Sequence, residues 1–137
     1  MDQNQGAGLG ACHLVAFVGC GNPERARAFY GQTLGLELTS DELPFALVFD
    51  TNGTSLRVTP IKQVSPAQHT VLGWEVPDIV KMVRQLSSAG VVFEQYPFIQ
   101  DSEGLGIWTA PGGARVAWFK DPDGNVLSLS QHPKAVG

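Results

Sequence analysis

The sequence predicts an α+β protein assembled from two copies of one unit, a strand and a helix followed by strands that pair with one another. Three observations carry this. His13 opens a short apolar run, HLVAFV, and His69 opens a second, HTVLGWEV, 56 positions later (13 to 69). Each run leads into an amphipathic stretch closed by glycine, at Gly35 and at Gly90. Beyond each helix, alternating apolar segments are separated by turn-forming pairs, Asn52-Gly53 in the first copy and Gly112-Gly113 in the second. Two copies of a βαβββ unit imply a pocket between their sheets, with both histidines as candidates for its lining.

The elements follow in order. Residues 1–11, polar and glycine-rich, read as a mobile tail. A first strand covers His13 to Val18. Asn22 is a helix N-cap with Pro23 at the first helical position, both favoured there. Ala26, Phe29, Tyr30 and Leu34 recur at helical spacing, and Gly35 stops the helix. Strands are expected over Leu36 to Thr39, Phe45 to Asp50 and Ser55 to Thr59, the last two joined by Asn52-Gly53, where both residues tolerate positive φ. Residues 60–68, from Pro60 past Pro66, form the linker.

In the second copy a strand covers His69 to Val76, and Asp78 caps a helix whose inward face is Ile79, Met82, Val83 and Leu86. Strands are expected over Val91 to Gln95, Gly106 to Ala110, Arg115 to Phe119 and Val126 to Ser130. Asp121-Pro122-Asp123-Gly124-Asn125 makes a tight turn before the last, with proline fixing φ and glycine taking the left-handed position. The organisation is thus one domain over residues 12–131, with module one at 12–60 and module two at 69–131, and a loose tail at 132–137.

Bulk properties agree. A chain of 137 residues is one domain with room for a core, and 43% hydrophobic with 16% charged residues is an ordinary globular mix. Nine basic against thirteen acidic residues leave a net charge of −4 without a basic cluster, so nucleic acid is not an expected partner. No apolar run approaches the roughly 20 residues that span a bilayer. The opening MDQNQGAGLGA lacks the basic start and apolar stretch of a signal peptide, and Cys12 and Cys20 are too few for a disulfide framework. A reducing cytoplasm is the expected location, with both cysteines read as small buried residues.

The segments ARAFYGQTLGLEL and FKDPDGNVLSLSQ resemble the vicinal-oxygen-chelate superfamily, which includes glyoxalase I, bleomycin-resistance proteins, fosfomycin-resistance enzymes and extradiol dioxygenases. The resemblance covers residues 13–131 and rests on a helix packing face and a turn, both structural. It implies paired βαβββ modules whose mixed sheets curl into a cup, often completed in a homodimer. Fold alone does not settle function in so diverse a group.

The resemblance also implies where a divalent metal would be held. Glyoxalase-like members carry His, Gln or Glu early in each module's first strand and a carboxylate in each last strand. His13 and His69 match the first pair of positions, whereas Arg57 and Ser128 stand where the carboxylates would be. A Zn²⁺ or Fe²⁺ site normally needs three protein ligands, and Ni or Mn would need no fewer. Arg57 adds repulsion: at an effective dielectric near 20, unit charges about 4 Å apart interact by about 4 kcal/mol, and a divalent ion feels roughly twice that. Glu75 shares a strand face with His69 but is about 20 Å along it. Glu103 or Asp101, on a loop, is the remaining candidate for a third ligand. The expectation is therefore a chain without a tightly bound metal or other cofactor.

Without a metal, the same positions suit a small anionic or aromatic molecule. Ser128 and Ser130 alternate with Leu127 and Leu129, so the serines are expected to face the cup. Arg57 and Thr59 share the corresponding face in module one, and a guanidinium fork matches a carboxylate or phosphate. Trp74, Trp108 and Trp118 supply area for stacking, each also suited to a plain core role. Arg57 is equally suited to pairing with Asp50 or Glu75, and each histidine to an ordinary strand position. Three function classes follow: a binding protein resembling the bleomycin-resistance branch; a metal-dependent lyase, isomerase, thiol transferase or dioxygenase using His13 and His69; and a metal-free enzyme with one of them as general base. The first is preferred because two carboxylate positions are lost. A homodimer is expected, since two four-stranded sheets leave edges to cover.

Overall fold

A computed structural model describes residues 8–133. The expected tails therefore lie mostly outside the described residues, except that Gly8–Ala11 forms an exposed 3₁₀ turn. Module one runs β1 (Val15–Cys20), α1 (Pro23–Ala26), β2 (Glu37–Glu42), β3 (Ala46–Thr51) and β4 (Thr54–Pro60). Module two runs β5 (Thr70–Glu75), α2 (Ile79–Ser88), β6 (Trp108–Thr109), β7 (Arg115–Lys120) and β8 (Val126–Gln131). Each forms its own four-stranded mixed sheet, β1-β4-β3-β2 and β5-β8-β7-β6, with one parallel pair where the helix crosses over.

Local chemistry explains the boundaries. The Asn22 side chain accepts hydrogen bonds from the backbone N–H of Glu24 and Arg25, and that of Asp78 accepts from Lys81. Asn52 and Gly53 have φ of 52° and 93°, so the hairpin closes directly from Thr51 to Thr54. The first helix departs from plain α geometry. After Ala26 it continues as a π-helical turn over Arg27–Thr33, and the Leu34 N–H donates to the Phe29 carbonyl five residues back. This wider turn keeps Tyr30 buried while Gly35, at φ 79°, ends the element.

The expected strand over Val91 to Gln95 is corrected. Only Phe93 makes a bridge, to Phe119, while Val91 and Phe93 are buried as packing residues. The next strand shrinks to Trp108–Thr109, because the chain between is tied to itself rather than to a neighbouring strand. Cys12 is also corrected: it is exposed beside the 3₁₀ turn, whereas Cys20 is buried. Burial pushes the Cys20 thiol up to about 11, with Asp123 and Asp121 adding to the effect.

One side of each sheet is covered. In the first sheet Val18, Leu47, Phe49, Leu56 and Val58 are buried, and Tyr30 packs its ring against Phe49. In the second, Ala117, Phe119, Leu127 and Leu129 are buried, covered by Ile79, Val83 and Leu86 of α2. These residues form a single core, so the two covered sides look toward each other. Trp74 shows this directly, its indole N–H donating to Thr51 Oγ1 of the other sheet at 2.9 Å. A second link joins the modules at the turn after β7. Buried Asp121 accepts from Tyr30 Oη at 2.6 Å, the Gly21 N–H donates to Asp123, and Asn125 donates to the Gly19 carbonyl. With the covered sides meeting in the core, the other two sides are open and turned outward.

Candidate ligand-binding face

Strand alternation sorts the predicted site residues between these sides. On the open side of the first sheet, Phe17 pairs across to Arg57 and Arg57 to Val48, while Gly19 pairs with Thr59. Arg57 is not free: its Nη2 donates to Glu42 Oε1 at 3.0 Å. The guanidinium, with help from the Ser40 hydroxyl, holds the Glu42 carboxyl below the usual range. The partner is thus Glu42, two strands away, rather than Asp50 or Glu75. Phe17, beside this ion pair, is 63% exposed.

The open side of the second sheet carries a different surface. Gly73 pairs with Ser128, Ser128 with Trp118, and in the next row Glu75 pairs with Ser130, Ser130 with Val116 and Val116 with Trp108. Ser128 and Ser130 therefore lie on the same side as Trp108 and Trp118, opposite the buried leucines. A β-carbon on Gly73 would come within 2.8 Å of Ser128 Oγ, so the glycine makes room for the serine hydroxyl. Trp74 is corrected as a ligand contact on this face: odd and even positions alternate, and it points into the core between the sheets.

Two aromatic residues escape sequence reasoning. Tyr96 and Phe98, from the irregular segment before β6, complete a four-ring cluster with the tryptophans. The Trp108 and Trp118 rings lie 6.2 Å apart, and Phe98 stands nearly perpendicular to both, at 6.0 and 5.8 Å. Tyr96 stacks on Phe98 at 5.5 Å and meets Trp118 at 5.6 Å. Phe98 is 55% exposed, leaving ring surface uncovered. The sequence signal is the triplet YPF, whose Pro97-Phe98 pair turns the chain with the Ile99 N–H donating to the Tyr96 carbonyl at 3.0 Å, but a strand ending at Gln95 hides it.

The proposed metal ligands are not brought together. His13 and His69 are both exposed and lie just before β1 and β5, not within them. Glu103 is held by Arg84 of α2 at 2.8 Å, and the Asp101 carboxylate is filled by backbone N–H groups of its own loop. Among the described residues, no three His, Cys, Asp or Glu side chains converge as a metal site. Within one copy, the described residues thus bring together no three-ligand set for the divalent ion that the resemblance implied. Two clefts lie between the modules, both reached by the edge strand β5 through Trp74 and Glu75. One, of about 550 Å³, is lined by Ala16, Thr54, Leu56, Leu72 and Trp74; the other, of about 270 Å³, by Leu36, Met82 and Leu129 among others. Neither contains Arg57, Ser128 or a histidine.

Comparison with known proteins agrees with this fold. No curated protein sequence matches the chain. Among solved structures, TnmS3, an antibiotic binding protein from Streptomyces sp. CB03234, is similar at 26% identity and a TM-score of 0.69, over 89% of this chain and 97% of that one. A superfamily member from Sphaerobacter thermophilus is 22% identical with a TM-score of 0.69, over 88% and 97%. A lactoylglutathione lyase from Agrobacterium tumefaciens has the same fold at 13% identity and a TM-score of 0.67, over 88% and 92%. The fold therefore hosts both a binding protein and an enzyme. Among the described residues no helix is long and apolar enough to cross a membrane. The two βαβββ modules with their open sheets agree with the sequence profile that matches residues 12–129, and the chain belongs to the Glyoxalase/Bleomycin resistance protein/Dioxygenase superfamily.

Proposed function

We propose that this chain binds an aromatic small molecule on the open side of its second sheet, without turnover and without a resident metal, and that a second copy of the chain completes the site. The observation that carries the reading is the four-ring cluster of Tyr96, Phe98, Trp108 and Trp118 on the side that also bears Ser128 and Ser130. Large rings, with Phe98 the most exposed, suit stacking on a planar ligand, and the half-buried Ser130 hydroxyl suits its polar edge, with the buried Ser128 behind it. Similarity to an antibiotic-binding protein supports binding over catalysis. Arg57 supports the aromatic half of the expectation over the anionic half, because Glu42 already neutralises it.

The open sides of one chain face away from each other, so a single copy offers two half-sites. Pairing the first sheet of one copy, with Phe17 and Arg57, against the second sheet of another would enclose the ligand and cover Phe17. A reducing cytoplasm suits the two free cysteines.

The test is a fluorescence titration of wild type and Trp118→Ala with planar aromatic probes, beside sedimentation analysis and elemental mass spectrometry of protein purified without chelator. Stoichiometric quenching that is lost in Trp118→Ala, a dimer, and negligible metal are expected. Near-stoichiometric metal that disappears in His69→Ala would overturn the metal-free reading, and a monomer that still binds tightly would overturn the shared site.

A further inference from the structure

We infer that Asp101 is the positioning residue of this site, holding the segment between α2 and β6 as a fixed strap that presents Tyr96 and Phe98 and selects flat polycyclic ligands over aliphatic ones of similar volume. The inference rests on the reading of this face as a ligand site. The strap, from Glu94 to Ile107, has no strand partner to order it, yet both its rings and the start of β6 must sit correctly for the cluster to exist. Its ends are fixed. The Glu94 N–H donates to the Trp118 carbonyl at 2.8 Å, and a β-carbon on Gly106 would lie 2.8 Å from the Glu94 carbonyl oxygen, so the two limbs touch.

Between these ends, Asp101 is the hub. Its Oδ1 accepts from the Glu103 N–H at 3.0 Å, and its Oδ2 accepts from Leu105 at 3.0 Å and Ile107 at 3.1 Å. Its carbonyl accepts from the Gly104 N–H, and Gln95 reaches across from the Tyr96 limb to the Gly104 carbonyl at 3.1 Å. Partial burial alone would raise the Asp101 pKa, but the N–H groups of Ile107, Glu103, Leu105 and Gly106 hold it below the usual carboxylate range. Ile107 immediately precedes Trp108, and Gln95 immediately precedes Tyr96. The carboxylate therefore fixes the limb that leads into Trp108, and Gln95 ties the Tyr96 limb to that fixed loop at the Gly104 carbonyl. Phe98, half-exposed and held on edge against two tryptophans, keeps that pose only while the strap is rigid. Rings fixed before binding favour a flat ligand that stacks at once; loose rings would collapse on a ligand of any shape.

The experiment compares full-length wild type, Asp101→Ala, Asp101→Asn and Leu86→Ala, the last a core variant of α2 that lowers stability while leaving the Asp101 hydrogen bonds in place. Anthraquinone-2-sulfonate and proflavine serve as flat probes of opposite charge and adamantane-1-carboxylate as the aliphatic one, followed by tryptophan fluorescence. Near-UV circular dichroism reports the ring geometry of the free protein. Asp101→Ala is expected to weaken the flat probes about tenfold or more, to leave adamantane-1-carboxylate within twofold, and to lose near-UV intensity. Asp101→Asn, which keeps acceptor oxygen, should retain part of each. Leu86→Ala should lower Tm but keep both affinity and spectrum. Unchanged affinity and spectrum in Asp101→Ala, or equal loss in Leu86→Ala, overturns the inference. Failure of wild type to bind any flat probe would overturn the ligand reading and the selectivity, while the spectra would still decide whether Asp101 positions the rings.

Discussion

Replacing Tyr30 by Phe removes one oxygen atom and tests how the two modules are joined. The Tyr30 hydroxyl donates at 2.6 Å to Asp121, whose carboxylate is buried in the other module. Asp121 also accepts from Asn125 Nδ2 at 2.8 Å and from the N–H groups of Asp123 and Asn125, each at 2.9 Å. The phenylalanine ring would keep its contacts with Phe29 and Phe49, so the loss is confined to one charge-assisted bond. Such a bond contributes about 1.5–3 kcal/mol, and a Tm fall of roughly 5–10 °C follows for a domain of this size. Urea unfolding should show a lower midpoint with an unchanged m-value, since the surface exposed on unfolding is the same. The pH dependence adds a second signature. Burial, together with the Asp121 charge, raises the Tyr30 pKa well above its ordinary value of 10.0. The unfolded chain would therefore lose the phenolic proton first, so stability from this group is full below about pH 10 and declines as pH rises further. Tyr30→Phe should lack that part of the alkaline loss. A variant within about 0.5 kcal/mol of wild type at pH 7 would refute the claim that this bond joins the modules.

Other outcomes follow from single features. The Cys20 thiol, pushed up from 9.0 to about 11, contributes stability that is present below pH 9 and lost as pH rises toward 11; urea midpoints at pH 8 and 10.5 should converge more closely in Cys20→Ala. Gly106→Ala places a β-carbon 2.8 Å from the Glu94 carbonyl oxygen at a φ of +80°, which should lower stability by about 2–3 kcal/mol in the same assay. Trp74→Phe removes the bond to Thr51 in the core and should reduce stability by about 1 kcal/mol, yet leave planar-probe affinity within twofold of wild type because Trp74 is on the covered side.

Much of the architecture is legible in the sequence because local chemistry dictates it. Asn22 and Asp78 cap the helices, Asn52-Gly53 turns the hairpin, and alternation in VLSLS separates Ser128 and Ser130 from the core leucines. What fails is non-local. Val91 to Gln95 has a strand's composition, but the apolar side chains are satisfied by packing while the backbone finds one bridge. Arg57 has several carboxylates within plausible reach, and only the stagger between β2 and β3 selects Glu42. The histidines show the limit most clearly. Matched spacing marks them as repeat positions, but it cannot tell that both fall just outside the strands they introduce.

The point where the repeat breaks is where the proposed binding surface lies. Phe17 and Gly73 are separated by the same 56 positions as the two histidines, and both sit in the central row of their sheets. In the first sheet that row reads Phe17, Arg57, Val48: a large ring, an ion-paired guanidinium and a buried aliphatic side chain, which together form a filled surface. In the second it reads Gly73, Ser128, Trp118: no side chain, a small hydroxyl and a large ring, which together form a low surface stepping up to the ring. Side-chain volume sets the two rows apart, beside a register shift in the β5–β8 pair that β1–β4 lacks. One module thus offers a projecting surface and the other a recess beside an aromatic wall. Two equal surfaces would have no reason to pair crosswise between copies, whereas a projection and a recess complement each other. Restoring the symmetry with Gly73→Phe would fill the recess, and should abolish binding of planar probes while the protein remains folded.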